Sequence, residues 1–284
     1  MEAHKNSQLR QPHKSPFQAS DNHSSTRVRE IMERHLLYDL AEVSARVCDS
    51  KAQAAVTGGM AARAYTGPTR FTHDVDIVVS RESYPKLKHI LKGIGYRTKM
   101  KTFGHTEALF ASKCIDDRAQ GLAYNLEFHA CIGGVFDHSS GIFYPATERL
   151  FMDSRTLPVR GYYQTSANII TSAQVVGLED LFLLKMLTRS LPENGREKDT
   201  LDTLLIALKN PPDATRLWTI ARSSCVVGIE NHLKSQLDSK LREGMHPDFS
   251  ATLSKYNVQL SADNWQLIQG VFAMISAHQP TPIQ

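Results

Sequence analysis

The stretch AAVTGGMAARAYTGPTRFTHDVDIVV, residues 54–79, decides how this chain folds. Its apolar start predicts a short strand that ends at Gly58 and Gly59, and Met60–Tyr65 is helix-like. Glycines at such a turn let backbone N–H groups and a helix N-terminus approach an anion closely. We expect Gly59 in particular to adopt a conformation, or to permit a phosphate approach, that a Cβ would obstruct.

Two carboxylates, Asp74 and Asp76, stand two positions apart in the apolar run that closes this stretch. In an extended strand residues i and i+2 point to the same face, so both carboxylates project together while Val75 and Ile77 face the other side. Neighbouring carboxylates repel each other, and a hard cation that prefers oxygen ligands, Mg²⁺ above all, relieves that repulsion. A phosphate-binding turn followed by paired metal carboxylates predicts chemistry on a nucleoside triphosphate (NTP).

This combination resembles the nucleotidyltransferase superfamily related to DNA polymerase beta, in detail its minimal nucleotidyltransferases and AbiEii-type toxins. The first block of matching residues consists of Gly58-Gly59, Arg63, Arg70-Phe71-Thr72 and Asp74-x-Asp76. The second block, similar to the family's helical Lys…Arg-x-x-Asp segment, consists of Glu179-Asp180-Leu181, Lys185, Gly195 to Asp199 and Asp202. The resemblance covers residues 57–208, about half of the chain. It implies an enzyme that transfers a nucleoside monophosphate (NMP) from an NTP to an acceptor hydroxyl and releases pyrophosphate.

The resemblance also implies a nucleotide-binding set. Its members are Thr57, Gly58, Gly59, Arg63, Arg70, Lys185, Arg196 and Asp199. The glycine turn would hold the β- and γ-phosphates, and Arg70 and Lys185 would offset the charge that grows on the leaving pyrophosphate. Asp199 would position Lys185 or Arg196. From the residues alone, Lys185 interrupts an apolar helical face and either extends to solvent or points into the cleft. Asp199 and Asp202 lie one turn apart on one helix face.

The superfamily requires a third carboxylate on a neighbouring strand, and Glu127 is the candidate. Apolar residues alternate through Ala123–Ala130, which predicts a half-buried strand with Glu127 and His129 on its polar face. In the implied two-metal scheme Asp74 and Asp76 bridge two Mg²⁺ ions, and Glu127 binds the ion that lowers the pKa of the acceptor hydroxyl. Glu127 would also lie near enough to that hydroxyl to act as its general base. The alternative is a surface glutamate paired with a cation. Rival acids stand in loop-like sequence at Asp116, Asp117 and Asp137.

Basic residues concentrate directly after the Asp-x-Asp strand. They are Lys86, Lys88, Lys92, Arg97, Lys99 and Lys101. The formal net charge of the chain is only +4, which permits a nucleic-acid partner without requiring one. Such a run is either a solvated face or, if it borders the cleft, a contact to the phosphates of an RNA acceptor that weakens with salt.

Composition and patterning predict an α/β fold, in which a small mixed β-sheet nucleotidyltransferase domain precedes a helical C-terminal domain. The chain has 284 residues, 41% of them hydrophobic, enough for one core and a second helical one. Residues 1–25 are polar and predict a disordered tail. Residues 26–175 form the predicted nucleotidyltransferase domain, with a helix at 26–47 and a loop at 132–143 that overhangs the cleft. Residues 176–284 form the helical domain.

The sequence patterns also favour a cytoplasmic protein. No apolar stretch reaches the roughly 18 residues that a membrane span requires, and the first residues contain no apolar signal-peptide core. The cysteines lack Cys-x-x-Cys spacing, which predicts reduced core thiols and no zinc site. They are Cys48, Cys114, Cys131 and Cys225.

Three functional hypotheses follow. The first is an active transferase that modifies RNA, tRNA or a protein hydroxyl and serves as the toxin of a toxin-antitoxin system, with a cognate antitoxin protein as partner. The second is an antibiotic-type transferase acting on a small hydroxylated molecule, for which a deep acidic pocket is expected rather than a basic rim. The third is a non-catalytic nucleotide-binding or interaction module. The intact Asp74, Asp76 and Glu127 argue against the third.

Overall fold

The computed structural model of the chain describes residues 22–103, 106–117, 122–137, 141–187, 197–224 and 228–278. Within these ranges the fold is mixed α/β, with a seven-stranded sheet, a two-stranded hairpin and a helical C-terminal region. The fold class predicted from the sequence is therefore confirmed.

The α/β part alternates helices and strands up to residue 175. Its elements are α1 (Asn22–Asp49), β1 (Ala54–Thr57), α2 (Gly58–Thr66), β2 (Asp74–Val79), α3 (Tyr84–Gly93), β3 (Arg97–Phe103), β4 (Thr106–Asp117), β5 (Leu122–Ile132), β6 (Gly134–Asp137), β7 (Ile142–Pro145), α4 (Glu148–Met152), β8 (Arg155–Arg160) and β9 (Ile170–Val175). In the described part of the chain, only helices follow β9. They are α5 (Leu178–Leu187), α6 (Glu197–Lys209), α7 (Ala214–Ser223), α8 (Ile229–Gly244), α9 (Phe249–Lys255) and α10 (Ala262–Ala277).

The large sheet has the strand order β3-β4-β5-β2-β1-β9-β8. The pairs β2–β5 and β1–β9 are parallel, and the other neighbouring pairs are antiparallel. Strand β2 lies in the middle of this order, with β5 on one side and β1 on the other. The Asp-x-Asp segment is therefore held by hydrogen-bonded strands on both sides, which fixes the direction of its side chains.

One face of the sheet carries the core beneath α1 and α3. Strand β5 turns Leu126 and Phe128 fully inward, and the Tyr96 ring packs edge-on against Phe128 at 5.1 Å between ring centroids. The buried apolar side chains continue without a break from this face into the helices α5 to α10. Because the two parts share one apolar cluster, the boundary at residue 175 remains a prediction from sequence.

Two sequence predictions about local structure are corrected. Helix α1 begins at Asn22, inside the predicted tail. Polar residues suit the first turn of a helix, and buried leucines further along anchor this one. Residues 1–21 lie outside the described ranges. The predicted loop 132–143 contains the hairpin β6–β7, in which Tyr144 is buried. The Gly133 N–H donates to the carbonyl of Val79, so the hairpin starts at the end of β2 remote from Asp74. Its position over the cleft stays a prediction.

The prediction of core thiols is wrong for Cys48 and Cys114, which are both exposed. The thiol of Cys131 is partly buried, and burial raises its pKa to about 12. Cys225 lies outside the described residues. Among the helices that the structure describes, none combines the length and the apolar character needed to cross a membrane.

Candidate active site

The parallel register between β2 and β5 places Asp74 opposite Glu127 and Asp76 opposite His129. The His129 Nδ1 atom lies 3.7 Å from Asp74 Oδ2 and 3.8 Å from Asp76 Oδ1. One potential ligand atom from each of Asp74, Asp76 and His129 lies within 4.8 Å of the other two. The structure therefore brings two carboxylates and one imidazole together on one face of the central strands.

The charges of this group act on one another. Burial, followed by the charge of Asp76, raises the pKa of Asp74, because both disfavour the ionised carboxylate. The interaction with the Asp76 carboxylate, 3.8 Å away, raises the pKa of His129 above its ordinary value, against the opposing effect of burial. Negative charge on this face is thus costly without a positive partner, and a bound cation would relieve the repulsion between the two carboxylates.

Glu127 lies on the same face as the paired aspartates but outside that three-residue group. Its Oε2 atom is 3.4 Å from His129 Nε2, and its side chain is 41% exposed. The imidazole of His129 therefore stands between Glu127 and Asp76. The sequence alone shows His129 only as a polar neighbour of Glu127, because its place beside Asp76 depends on the pairing register between β2 and β5.

The rival acids are not part of the group either. Asp116 and Asp117 belong to β4 and not to a loop, in register with Ala123 and Leu122. Asp137 is buried at the end of β6, in the β6–β7 hairpin, and is not a member of the three-residue group.

The glycine turn approaches the carboxylates from β1. Gly58 has φ of +65°, and a Cβ at this position would lie 2.1 Å from Asp76 Oδ2. Gly59 lies outside the left-handed region, although a Cβ there would come within 2.8 Å of Arg70 Nη2 and 2.9 Å of Thr72 Oγ1. The conformational demand that the sequence suggested for Gly59 therefore falls on Gly58, whereas Gly59 provides close approach.

A cavity of about 170 Å³ lies beside the carboxylates. Its lining consists of Gly59, Arg70, Thr72, His73, Asp74, Asp76, Lys185, Lys198 and Asp199. Residues from both blocks of the sequence motif thus meet in one place. Lys198 is a member of the second block to which the sequence assigns no role. Its positive charge partly offsets the burial and the Asp76 charge that raise the pKa of Asp74.

Buried ion pairs fix the cationic wall of this cavity. Lys185 Nζ lies 2.7 Å from Asp199 Oδ1 and 2.8 Å from Asp202 Oδ2, so it points inward rather than to solvent. Arg70 donates to both oxygens of Asp202, at 3.0 and 2.8 Å. Burial alone would raise the pKa of Asp202, but Lys185 and Arg70 outweigh it and the pKa is lowered. Asp202 is therefore a positioning residue for both cations.

The remaining members of the predicted nucleotide-binding set lie elsewhere. Arg63 does not line the cavity, because its guanidinium is drawn to the buried Glu33 carboxylate at 2.8 Å and donates to the Arg70 carbonyl at 2.7 Å. It supports the backbone of the cavity wall. Thr57 is buried, pairs with Asp76 in the β1–β2 ladder and precedes α2. Arg196 lies outside the described residues.

The glycine turn supplies a test with a matched control. Gly58→Ala is expected to cost about 1–3 kcal/mol from backbone strain and, because its Cβ displaces the Asp76 carboxylate, to weaken Mn²⁺ binding at least about tenfold. Gly67→Ala shares the positive φ, +80°, but its Cβ meets no atom within 4 Å, so it should lose stability and keep metal affinity. Thermal unfolding and Mn²⁺ titration of both variants measure this; equal metal affinity in both would contradict the assigned role of Gly58.

Comparison with known proteins gives no family membership. No protein-family model matches this chain, and no curated protein matches its sequence. JHP933 from Helicobacter pylori is similar in structure with a TM-score of 0.47 and 10% identity, over 88% of this chain and 93% of that one. TM1012 from Thermotoga maritima, provisionally described as a nucleotidyltransferase, gives a TM-score of 0.36 and 15% identity, over 53% and 82%.

A third solved structure is that of ANT(2'')-Ia in complex with adenylyl-2''-tobramycin. It gives a TM-score of 0.40 at 11% identity and covers 67% of this chain and 97% of that one. Scores below 0.5 at such identities do not establish a shared activity.

Proposed function

We propose that this protein is a metal-dependent nucleotidyltransferase, which moves an NMP group from an NTP to an acceptor hydroxyl and releases pyrophosphate. One observation carries the proposal. Atoms of Asp74, Asp76 and His129 that could bind a metal ion lie beside a cavity whose wall adds Gly59, two buried cations and Lys198. An anionic, metal-bound triphosphate is the ligand that suits both halves of this arrangement.

The donor set fits a divalent cation. Asp74 and Asp76 would hold it through carboxylate oxygens, and His129 through an imidazole nitrogen. Mg²⁺ prefers oxygen ligands, whereas Mn²⁺ also accepts imidazole, so both ions suit the site. When bound, such an ion neutralises phosphate charge and lowers the pKa of a coordinated hydroxyl. Two Mg²⁺ ions, as the family resemblance implies, remain our expectation.

The protein groups around the cavity would hold the triphosphate in place. Gly59 lies in the first turn of α2, where backbone N–H groups without helical partners can donate to phosphate oxygens. Lys185 and Arg70 are fixed by Asp199 and Asp202 before any ligand arrives, so little reorganisation accompanies binding. Lys198 contributes positive charge on the α6 side of the cavity.

From these distances we infer that His129 would be the third ligand and that Glu127 would orient it. His129→Gln should lower kcat by at least about 10²-fold and weaken Mn²⁺ binding, and His129→Asp, which restores an anionic donor, should recover much of both. Glu127→Gln should lower kcat by only about 10-fold, because it removes an orienting partner. Initial rates and Mn²⁺ titrations compare the three variants. If Glu127→Gln is the most damaging, the sequence hypothesis of Glu127 as direct ligand and base is favoured instead.

The acceptor is expected to be a hydroxyl of RNA, tRNA or protein, as the AbiEii resemblance implies. A toxin role with a cognate antitoxin stays a prediction from that resemblance. No observation favours the antibiotic-type alternative, since the cavity is small and cations share its lining, whereas a deep acidic pocket was expected. A non-catalytic nucleotide-binding module would have the same cavity and would show no turnover.

Labelled NTPs test the proposed function. The protein is incubated with each NTP, labelled with ³²P at either the α- or the γ-phosphate, together with Mg²⁺ or Mn²⁺ and total RNA or total protein. We expect the α-label to enter an acceptor and the γ-label to leave as pyrophosphate, with no reaction in EDTA. Transfer of the γ-label would indicate a kinase, and binding without any transfer would favour the non-catalytic module.

A further inference from the structure

Beyond β2, the described side chains on the sheet face that carries Asp74 and Asp76 are at least partly exposed. On β5, Tyr124, Leu126 and Phe128 are buried toward α1, whereas the alternating residues between them point the other way and are at least partly exposed. Strand β3 shows the same alternation, with Arg97, Lys99 and Lys101 exposed. The polar face thus extends from the carboxylates to the edge of the sheet.

The pairing register joins this edge to the carboxylates. One row of cross-strand partners runs Lys99, Phe110, His129 and Asp76 across β3, β4, β5 and β2. Cross-strand partners point to the same face, so the cations of β3 share a face with the metal ligands. Three strand spacings separate Lys99 from Asp76, which amounts to about 14 Å.

The structure divides the basic run into two halves. Lys86, Lys88 and Lys92 belong to α3, which packs with α1 over the core face of the sheet. There Lys86 Nζ donates to the Ser50 carbonyl at 3.0 Å, and Lys88 lies over the Tyr84 ring. The β3 half of the run is therefore the half that faces the site.

An aromatic side chain lies between the cations and the metal ligands. The partly exposed Phe110 ring has Lys101 Nζ 4.0 Å from its centroid on the β3 side and the His129 ring at 4.9 Å on the β5 side. Phe103 adds a second ring, 6.2 Å from Phe110. Cations that alternate with exposed aromatic rings match the phosphates and bases of a single nucleic-acid strand.

We propose that the acceptor is a single-stranded nucleic-acid segment that crosses this open face. Arg97, Lys99 and Lys101 bind its phosphates, Phe110 stacks on a base, and the strand places a terminal hydroxyl at Asp76. The assignment of the hydroxyl rests on the proposed function, whereas the binding surface itself does not. Three exposed cations along β3 extend the surface well beyond what a small hydroxylated molecule would cover, and their charge favours a polyanion over a protein acceptor.

Two matched triple variants test this surface. Arg97→Gln/Lys99→Gln/Lys101→Gln removes three charges from β3, and Lys86→Gln/Lys88→Gln/Lys92→Gln removes three from α3. Binding of fluorescent single-stranded RNA and DNA oligonucleotides is measured by anisotropy over a range of salt concentrations. For a single strand each phosphate contact contributes about 0.7 to the log–log salt slope, so the β3 variant should lower it by about 2. The α3 variant should keep the wild-type slope, and both should keep the wild-type affinity for NTP.

A third variant, Phe110→Leu, separates stacking from charge. It should weaken oligonucleotide binding roughly tenfold at an unchanged salt slope. Equal salt slopes in the two triple variants would overturn the proposal, and so would a wild-type protein that binds no nucleic acid. It would also be overturned if the α-label is transferred to protein and both triple variants keep that activity. A β3-dependent slope without any transfer of α-label would instead uphold the surface and refute the proposed function. A preference between the RNA and DNA oligonucleotides would identify the natural source of the strand.

Discussion

Asp76→Asn is expected to abolish metal-dependent transfer, lowering kcat by at least about 10³-fold, while the protein stays folded. Asparagine keeps the shape of the side chain but removes the charge that would hold the cation. Asp76 also lies against Gly58 and opposite His129 in the β2–β5 register, so its loss would affect every part of the proposed metal site. Initial rates at saturating NTP, with circular dichroism as the check on folding, measure the effect.

Stability without metal provides the second half of this test. Burial and the charge of Asp76 raise the pKa of Asp74, so the ionised pair costs stability near neutral pH. Asp76→Asn should therefore melt at the same or a higher temperature than wild type without metal and lose the stabilisation that Mn²⁺ confers. Asp116→Asn, on β4 outside the group, should retain activity. Wild-type turnover in EDTA, or inactivation by Asp116→Asn, would contradict the assignment.

Asp202→Ala is expected to destabilise the folded protein by about 3–5 kcal/mol. Its carboxylate is nearly inaccessible and is shared by Arg70 and Lys185, so the substitution leaves two buried cations with reduced compensation. Urea unfolding measures the loss. Glu230→Ala is the matched control, because it breaks an exposed pair with Arg222 and should cost no more than about 1 kcal/mol. Equal losses in the two variants would contradict the role of the buried network.

The same network predicts the acid dependence of stability. Lys185 and its neighbouring cations outweigh burial and lower the pKa of Asp199 and Asp202 in the folded protein. A carboxyl whose pKa is lowered by folding stabilises the protein above its unfolded pKa, about 3.9, and loses that contribution as the pH falls through the folded value. Asp202→Ala should flatten the loss of stability below about pH 4, and an unchanged acid profile would contradict this explanation.

Local patterns account for what the sequence could predict. The shared face of Asp74 and Asp76 follows from the two-residue period of a strand, and the glycine turn follows from the apolar run before it. Alternating burial in residues 123–130 likewise identified the β5 strand and its polar face. These inferences need only neighbours along the chain.

The rest depends on long-range pairing. A shift of one residue between β2 and β5 would exchange Glu127 for a neighbour, so the sequence could not decide that His129 lies opposite Asp76. The attraction of Arg63 to Glu33, thirty residues earlier on α1, was equally invisible. The sequence alone does not show that the basic residues after β2 fall into two groups. Those on α3 lie over the core face of the sheet, and those on β3 lie on the opposite face.

The most direct test of the central claim is anomalous diffraction from crystals soaked with Mn²⁺ and an NTP analogue that cannot be cleaved between its α- and β-phosphates. We expect Mn²⁺ between Asp74, Asp76 and His129, with the triphosphate against Gly59 and the wall formed by Lys185 and Arg70. The account would be contradicted if Mn²⁺ binds elsewhere, or if the cavity holds no triphosphate in crystals saturated with the analogue.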